Sequence, residues 1–193
     1  MKLPIDFYLQ QDVVQVAQNL LGKVLYTHIH GKTCAGIITE TEAYAGITDK
    51  ASHAYGNRRT ARTETMYQQG GISYVYLCYG MHHLFNIVTN EQDIPHAVLI
   101  RAIQPYAGLD TMLQRRNAKQ YHHQLLNGPG KLSMAMGINQ TFNAQSLQGN
   151  QIWLEDKSID VPEDCIEVTP RIGVDYAKED ALLPYRFVVK AQL

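Results

Sequence analysis

The sequence predicts an α+β fold: one compact domain spanning residues 1–193, with a curved, mainly antiparallel sheet, surrounding helices and a protruding β-hairpin. Two observations predict this fold class. Strand-like and helical segments are mixed along the chain without the regular strand–helix–strand repeat of a parallel sheet. Several strand-like segments are also separated by only a few residues, which is typical of antiparallel pairs.

The first half of the chain supplies a helix, two strands and a long loop. Apolar residues at helical spacing, ended by Gly22, predict a helix over residues 12–21. Residues 24–30 and 35–44 alternate as strands do, on either side of a short glycine turn. Residues 45–65 carry arginines and no clear periodicity, and long loops inside a compact domain are frequently functional.

The second half supplies a hairpin, a further strand, helices and three short strands. The hairpin covers residues 73–89, and a largely apolar strand over residues 96–103 stops before Pro105. The remaining predictions are a helix over 109–126 broken near Asn117, a helix over 131–136, and strands over 152–155, 166–174 and 185–190.

Composition excludes several classes of protein. Hydrophobic residues make up 45% of the chain and charged residues 18%, an ordinary globular composition. No apolar run approaches the roughly 20 residues that span a bilayer, and no signal peptide is evident, so we expect a cytoplasmic protein, associated with the nucleoid if prokaryotic. The three cysteines contain no CxxC pair, which argues against a disulfide framework or a cysteine zinc site.

Charge is unevenly distributed, although the net charge is only -1. A nearly neutral chain is unusual for a strong nonspecific DNA binder. Residues 53–62 nevertheless carry three arginines and no acid, whereas residues 155–167 carry six acids and one lysine. Such a dipolar surface can hold phosphates on one side, with Arg58, Arg62 and Lys131 as candidates for DNA-backbone contacts. The alternative is that these charges lie on solvated loops.

A carboxylate and an aromatic ring share one face of the strand over residues 35–44. Alternate residues of a strand point the same way, so Glu40, Glu42 and Tyr44 lie together, with Ile38 on the same face. A carboxylate in this position can act as general base for a water molecule. The alternative is an exposed strand face with solvated glutamates.

The hairpin carries tyrosines on one face and an apolar tip. Tyr74 and Tyr76 point the same way, and Asn86 joins their face if the loop has three residues but not if it has two. An exposed tip containing Tyr79 and Met81 would indicate a partner surface or a wedge between base pairs. The alternative is that Tyr79 folds back onto the core.

Single residues elsewhere leave their roles open. His53, alone in a loop, is either a surface residue or part of a site. Arg101, inside an apolar strand, either pairs with a carboxylate such as Glu42 or lies at an edge in solvent. Lys131 follows Gly128-Pro129-Gly130, which is not a Walker motif but is compatible with one phosphate contact or with simple helix capping. No HxxxH or HExxH spacing occurs, so we expect no metal.

Seven stretches together resemble the alkyladenine (3-methyladenine) DNA glycosylase family. They are ETEAY at 40–44, ASHA at 51–54, YVYLCYGMHHLFNIV at 74–88, AVLIRAIQP at 97–105, GPGKL at 128–132, RIGV at 171–174 and PYRF at 184–187. The similarity runs from about residue 12 to residue 190, and ETEAY followed by YVYxxYGM is highly specific. Ala61 and Ile47 depart from the family by replacing common prolines.

The resemblance implies a monofunctional glycosylase that flips alkylated or deaminated purines out of double-stranded DNA and hydrolyses the N-glycosidic bond, initiating base excision repair. Glu42 would activate the attacking water, which Arg101 and the backbone carbonyl of Ile172 would hold. The family also implies roles for six further residues: base-pocket residues Tyr44, His53, Tyr76 and Asn86, and the duplex-filling Tyr79 flanked by Met81. It implies a monomer with no cofactor, metal, membrane or obligate protein partner.

Two other functions compete with this hypothesis. A noncatalytic module could use the tyrosine hairpin only to recognise distorted duplex, and it would bind lesions without producing abasic sites. A metal-dependent hydrolase could use the histidines, and it would lose activity with a chelator. No lysine stands beside the motif residues, which predicts no Schiff-base lyase step.

Overall fold

A long central strand organises the protein, whose computed structural model describes residues 1–190 and 193. In these residues an eight-stranded sheet has the order β3-β4-β5-β2-β1-β6, with β8 pairing β2 and β7, and every strand pairing is antiparallel. The α+β prediction is therefore confirmed. The strands are β1 Val24–Ile29, β2 Lys32–Tyr44, β3 Ile72–Cys78, β4 His82–Thr89, β5 His96–Ala107, β6 Ile152–Glu155, β7 Ile166–Thr169 and β8 Arg186–Val189. The α-helices are α1 Ile5–Tyr8, α2 Val13–Asn19, α3 Leu109–Arg115 and α4 Pro129–Met136.

Strand β2 joins the two parts of the sheet. Its first residues pair with β1, its residues 40–42 pair with β8, and β5 pairs along most of its length. The ETEAY stretch at residues 40–44 is therefore held between neighbouring strands, which limits its movement.

An irregularity in the pairing of β2 with β5 reverses the side-chain alternation before Glu40. The register shifts between Ile38 and Glu40, and Ile38 pairs with Ile103 inside the main core. Ala43 also packs in that core, so Glu42 lies on the opposite face. The expectation that Ile38 shares the face of the glutamates is wrong, because an inserted residue shifts every later side chain to the other side.

Helix α2 covers the core face of β2. Asp12 caps the helix, since its carboxylate accepts hydrogen bonds from the backbone N–H groups of Val14 (2.9 Å) and Gln15 (3.2 Å). The Thr41 hydroxyl donates to the Ala17 carbonyl at 2.8 Å and ties β2 to the helix. Helix α4 packs against β4 and β5, so its first residues lie near the hairpin.

Three predicted boundaries were wrong for local reasons. Strand β5 continues through Pro105, which pairs with Gly36 where β4 no longer runs beside it, and an edge position tolerates a residue without an N–H. Helix α3 ends at Arg115, Asn117 adopts a left-handed conformation (φ 50°), and no α-helix forms again before α4 begins at Pro129. Strand β7 ends at Thr169, and the chain then turns through Gly173 (φ 74°).

The arginine-bearing segment between β2 and β3 is a loop containing short 3₁₀ turns, as predicted. It is anchored by buried residues, among them Ala51 and Ala54. In the described part of the chain, no helix is long and apolar enough to cross a membrane.

Candidate functional site

Glu42 is a buried carboxylate held by three hydrogen bonds. Its side chain is fully buried, and its Oε1 accepts from the backbone N–H of Ile172 at 2.8 Å. Its Oε2 accepts from the Tyr44 hydroxyl at 2.8 Å and from Nη1 of Arg101 at 3.3 Å. The alternative of solvated glutamates on this strand is therefore wrong.

Glu40 extends this network in a way that sequence reasoning missed. Its Oε1 accepts from Nε of Arg101 at 2.8 Å and from Nε of Arg186 at 2.7 Å. The Arg101 side chain is only 12% exposed, so the edge-position alternative is also wrong. Arg101 thus bridges two carboxylates, and Glu40 fixes the orientation of its guanidinium. The sequence does contain a signal for this contact. Glu40 and Glu42 are two residues apart on one strand, and another predicted strand carries Arg101.

A second missed feature lies behind Tyr44, where the buried Arg171 forms an ion pair with Asp49. Nη2 of Arg171 donates to Oδ1 of Asp49 at 2.9 Å, and its Nη1 donates to the Ala43 carbonyl at 2.9 Å. The guanidinium carbon lies 4.9 Å from the centre of the Tyr44 ring. Because Ile172 is the next residue, this pair fixes the backbone that contacts Glu42.

Burial keeps Tyr44 protonated. Burial first, and then the negative charge of Glu42, raise the pKa of Tyr44 well above its usual value. Its hydroxyl therefore remains a hydrogen-bond donor to Glu42 at any ordinary pH.

Three rings from two segments form a cluster next to these charges, which we call the ring cluster: His53, Tyr74 and Tyr76. The Nδ1 atom of His53 lies 3.0 Å from the Tyr74 hydroxyl. The His53 ring meets the Tyr76 ring edge-on, with 4.8 Å between centroids. Burial first, with Arg62 and Arg58 adding to it, lowers the pKa of His53 to about 4, so the imidazole is neutral at physiological pH. His53 is not an isolated surface residue.

The hairpin has a three-residue loop at its tip. Tyr74 pairs with Asn86, which places this asparagine on the face of the ring cluster. Asn86 is buried, and its Nδ2 donates to the carbonyl of Tyr74 at 3.1 Å, which restricts its rotation. At the tip, Tyr79 is 91% exposed and Met81 is 68% exposed. Tyr79 does not fold back onto the core.

These elements enclose one large cavity of about 630 Å³, a volume typical of a small-molecule site. Most of the predicted site residues line it: Tyr44, His53, Arg62, Tyr76, Tyr79, Asn86, Arg101, Lys131 and Ile172. Glu42 lies directly behind Tyr44 and Arg101 without an exposed surface, whereas Met81 and Arg58 lie outside the lining. Tyr176, which was not predicted, also lines the cavity.

The first residues of α4 reach the same cavity. A side chain at Gly130 would approach the His82 ring to about 3.0 Å, so glycine permits the helix to meet the hairpin this closely. Lys131 is exposed beside it, and its Nζ lies 3.3 Å from the Gln124 carbonyl. Because Lys131 lines the cavity, the expectation that no lysine stands beside the motif residues is wrong. Within residues 1–190 and 193, no three His, Cys, Asp or Glu side chains are grouped closely enough to hold a metal ion.

Known proteins match this chain over nearly its whole length. Residues 6–193 match the methylpurine-DNA glycosylase family. A Chlamydia felis (strain Fe/C-56) protein is 52% identical over 188 residues, which cover 97% of this chain and 95% of the relative. A Clostridium perfringens (strain 13 / Type A) protein is 44% identical over 198 residues, covering 98% and 96%. Both carry the provisional name 3-methyladenine DNA glycosylase. The chain thus belongs to the methylpurine-DNA glycosylase family, as its motifs indicated.

Proposed function

We propose that this protein removes alkylated or deaminated purines from double-stranded DNA by hydrolysing the N-glycosidic bond, which leaves an abasic site and initiates base excision repair. One observation carries the proposal: the buried Glu42 carboxylate lies directly behind a cavity that is lined by aromatic rings. A general base beside a slot for a flat ring is what hydrolytic excision of a base requires.

In the proposed reaction, Glu42 takes a proton from the attacking water. The Arg101–Glu42 contact of 3.3 Å is the longest of the three hydrogen bonds to Glu42, and a water molecule would enter there. The Arg101 guanidinium and the Ile172 carbonyl would hold this water against the anomeric carbon. The Ile172 N–H and the Tyr44 hydroxyl keep the carboxylate in place throughout.

The ring cluster and Tyr44 supply the energy that holds an extrahelical base. Taking a base out of the duplex costs a few kcal/mol, and each stacked ring returns roughly 1–3 kcal/mol. Tyr44 and Tyr76 would contact opposite faces of the purine, with His53 at its edge. Asn86, anchored by its hydrogen bond to Tyr74, would exclude the 2-amino group of guanine.

The exposed hairpin tip would occupy the space that the flipped base leaves. Tyr79 would fill the gap in the duplex and Met81 would flank it. Arg58 and Lys131 would contact the DNA backbone, since both are exposed cations, one in the arginine-bearing loop and one at the cavity mouth. Arg62, predicted for the same role, lines the cavity beside the Tyr76 ring instead. We propose a monomer that needs no cofactor or protein partner.

The test of this function is an excision assay with Glu42→Gln. Duplexes carrying one hypoxanthine or one 7-methylguanine are incubated with the protein in EDTA, and abasic sites are revealed by hot alkali. Because the amide cannot accept the proton, we expect lesion binding to persist and excision to fall about 10²–10⁴-fold. Glu91→Gln, which changes an exposed glutamate between β4 and β5, is the matched control and should excise normally.

Each competing outcome has a distinct signature in this assay. Normal turnover by Glu42→Gln would contradict the role of Glu42. Lesion binding without abasic product from the unmutated protein would indicate a binding module, and loss of activity only in EDTA would indicate a metal hydrolase. Strand cleavage without alkali would contradict the monofunctional mechanism, and Lys131, which lines the cavity, would then be the residue to replace.

A further inference from the structure

Arg62 lies within the base-binding cavity rather than only on the surface beside it. Its guanidinium carbon is 5.0 Å from the centre of the Tyr76 ring. Its Nη2 is 3.5 Å from Nε2 of His53, and Arg62 is among the residues that line the cavity. A permanent positive charge therefore contacts two residues of the ring cluster that would hold a flipped base.

The charge of Arg62 is not balanced as the other arginine charges of the site are. Arg101 is paired with Glu40 and Glu42, and the buried Arg171 is paired with Asp49. Across residues 1–190 and 193, Arg62 forms no ion pair. Arg62 therefore adds net positive charge to the cavity.

The other groups near the ring cluster do not provide this charge. His53 is neutral above a pH of about 4, because burial and the two nearby arginines lower its pKa. Lys131 also lines the cavity without an ion pair in the described residues, but its ammonium lies beside the Gln124 carbonyl. The positive charge next to the Tyr76 ring is that of Arg62.

Bond cleavage moves charge in a direction that depends on the lesion. Water forms the new bond to the anomeric carbon, Glu42 accepts its proton, and the electron pair of the glycosidic bond goes to the purine. A purine that carries a positive charge, such as 7-methylguanine in DNA, leaves as a neutral molecule. An uncharged purine, such as hypoxanthine, leaves as an anion and takes its proton from solvent afterwards. A cation fixed beside the purine stabilises the departing anion and repels the bound cation.

We propose that Arg62 is a specificity-determining residue that favours excision of uncharged damaged purines over cationic ones. This inference rests on the proposed glycosylase function and specifies the substrate class of the same site. Arg62 transfers no proton, since it acts only through its charge.

A contact with DNA phosphate is the alternative role for Arg62, and Arg58 distinguishes the two. Arg58 is an exposed cation of the same loop, but it does not line the cavity. Loss of a phosphate contact weakens binding to every duplex by the same factor, whatever the lesion. Loss of a charge beside the purine changes the ratio between lesions.

The experiment compares wild type, Arg62→Gln, Arg62→Lys and Arg58→Gln under single-turnover conditions with saturating protein. Two duplexes of identical sequence carry one hypoxanthine or one 7-methylguanine. We expect Arg62→Gln to lower the ratio of the hypoxanthine rate to the 7-methylguanine rate by about tenfold. Arg62→Lys retains the charge and should keep the ratio within about threefold of wild type, and Arg58→Gln should leave it unchanged.

Three results would overturn the inference. Arg62→Gln could leave the ratio of the two rates unchanged, as loss of a phosphate contact would. Arg58→Gln could shift the ratio as much as Arg62→Gln does. Wild type could excise 7-methylguanine but no hypoxanthine. A wild type that excises neither base would instead overturn the glycosylase function itself, so the two failures are distinguishable.

Discussion

The inner wall of the cavity and the tip of the hairpin are built in opposite ways. In the buried layer directly behind the cavity lining, which we call the inner wall, Glu42 and Arg171 have fully buried side chains, and each makes several hydrogen bonds within the protein. At the tip, Tyr79 is 91% exposed, and its apolar ring meets solvent. Both regions take part in the proposed reaction. The side chains of the inner wall already have their hydrogen-bond partners in the free protein, whereas the ring at the tip does not yet have a contact partner among the described residues.

This difference indicates that the inner wall serves the chemical step of the proposed reaction and that the tip serves DNA binding. Polar groups that are already fixed in a buried wall need no rearrangement during the chemical step, which makes their electrostatic effect large. An apolar ring in water gains its contacts only when a partner covers it, so we expect the tip to contribute to binding rather than to folding. Substitutions in the wall should therefore affect stability strongly, and substitutions at the tip should hardly affect it.

Arg171→Met should have the largest effect on stability. The substitution leaves the buried carboxylate of Asp49 without its cation, and breaking a buried ion pair in this way typically costs about 3–5 kcal/mol. We expect the free energy of unfolding, measured by urea denaturation, to fall by that amount.

The control is an exposed ion pair between the same two segments of the chain. Lys50 pairs with Glu179, and the Glu179 side chain is 67% exposed. Because solvent screens this pair, Lys50→Gln should change the free energy of unfolding only slightly. A similar loss for both variants would contradict the distinction between the buried wall and the surface.

His53 makes the ring cluster between wall and tip sensitive to acid. In the folded protein its pKa is lowered from 6.5 to about 4, mainly by burial. Between these two values the unfolded chain binds more protons, so the free energy of unfolding falls as the pH decreases through this window. The loss reaches at most about 3 kcal/mol and is absent above pH 6.5.

The measurement is urea denaturation of wild type and His53→Gln at several pH values. The variant cannot take up the proton, so its free energy of unfolding should fall less than that of wild type between pH 6.5 and pH 4. His96 also has a pKa lowered by burial, and the difference between the two proteins removes its contribution. Equal pH dependence in both proteins would show that His53 is solvated.

The sequence predicts those parts of the site that depend on local alternation. Glu42 and Tyr44 lie on one strand face because they are two residues apart. The hairpin register was not predicted in this way, because the sequence allowed a loop of two or three residues and the structure has three. A carboxylate partner for Arg101 was one of two alternatives that the sequence left open, since an unpaired arginine is unfavourable in an apolar strand but tolerated at an exposed edge.

The remaining features depend on contacts between residues far apart in the chain. Asp49 and Arg171 meet across 122 positions, and neither belongs to a periodic pattern that would predict their contact. Glu40 is shared with Arg186 from a strand 146 positions later. The register shift before Glu40 is set by the pairing with β5, and alternation along β2 alone does not reveal it.

Tyr79→Ala should have the smallest effect on stability and a clear effect on binding. The ring is exposed, so we expect the free energy of unfolding to change by no more than about 0.5 kcal/mol. Loss of one stacking ring should weaken binding to a lesion duplex by about tenfold, measured by fluorescence anisotropy in the Glu42→Gln background, where excision is blocked.

Tyr79→Phe keeps the ring and removes only the hydroxyl, so it should bind the lesion duplex as the parent does. Leu77, on the same hairpin, is 47% exposed. The variant Leu77→Ala tests whether removing any exposed apolar side chain from the hairpin weakens binding to the lesion duplex as Tyr79→Ala does. Unchanged affinity in Tyr79→Ala would mean that the tip does not enter the duplex. A large loss of stability in the same variant would mean that the tip packs against the folded core. The contrast between a buried, hydrogen-bonded inner wall and an exposed tip would then not hold.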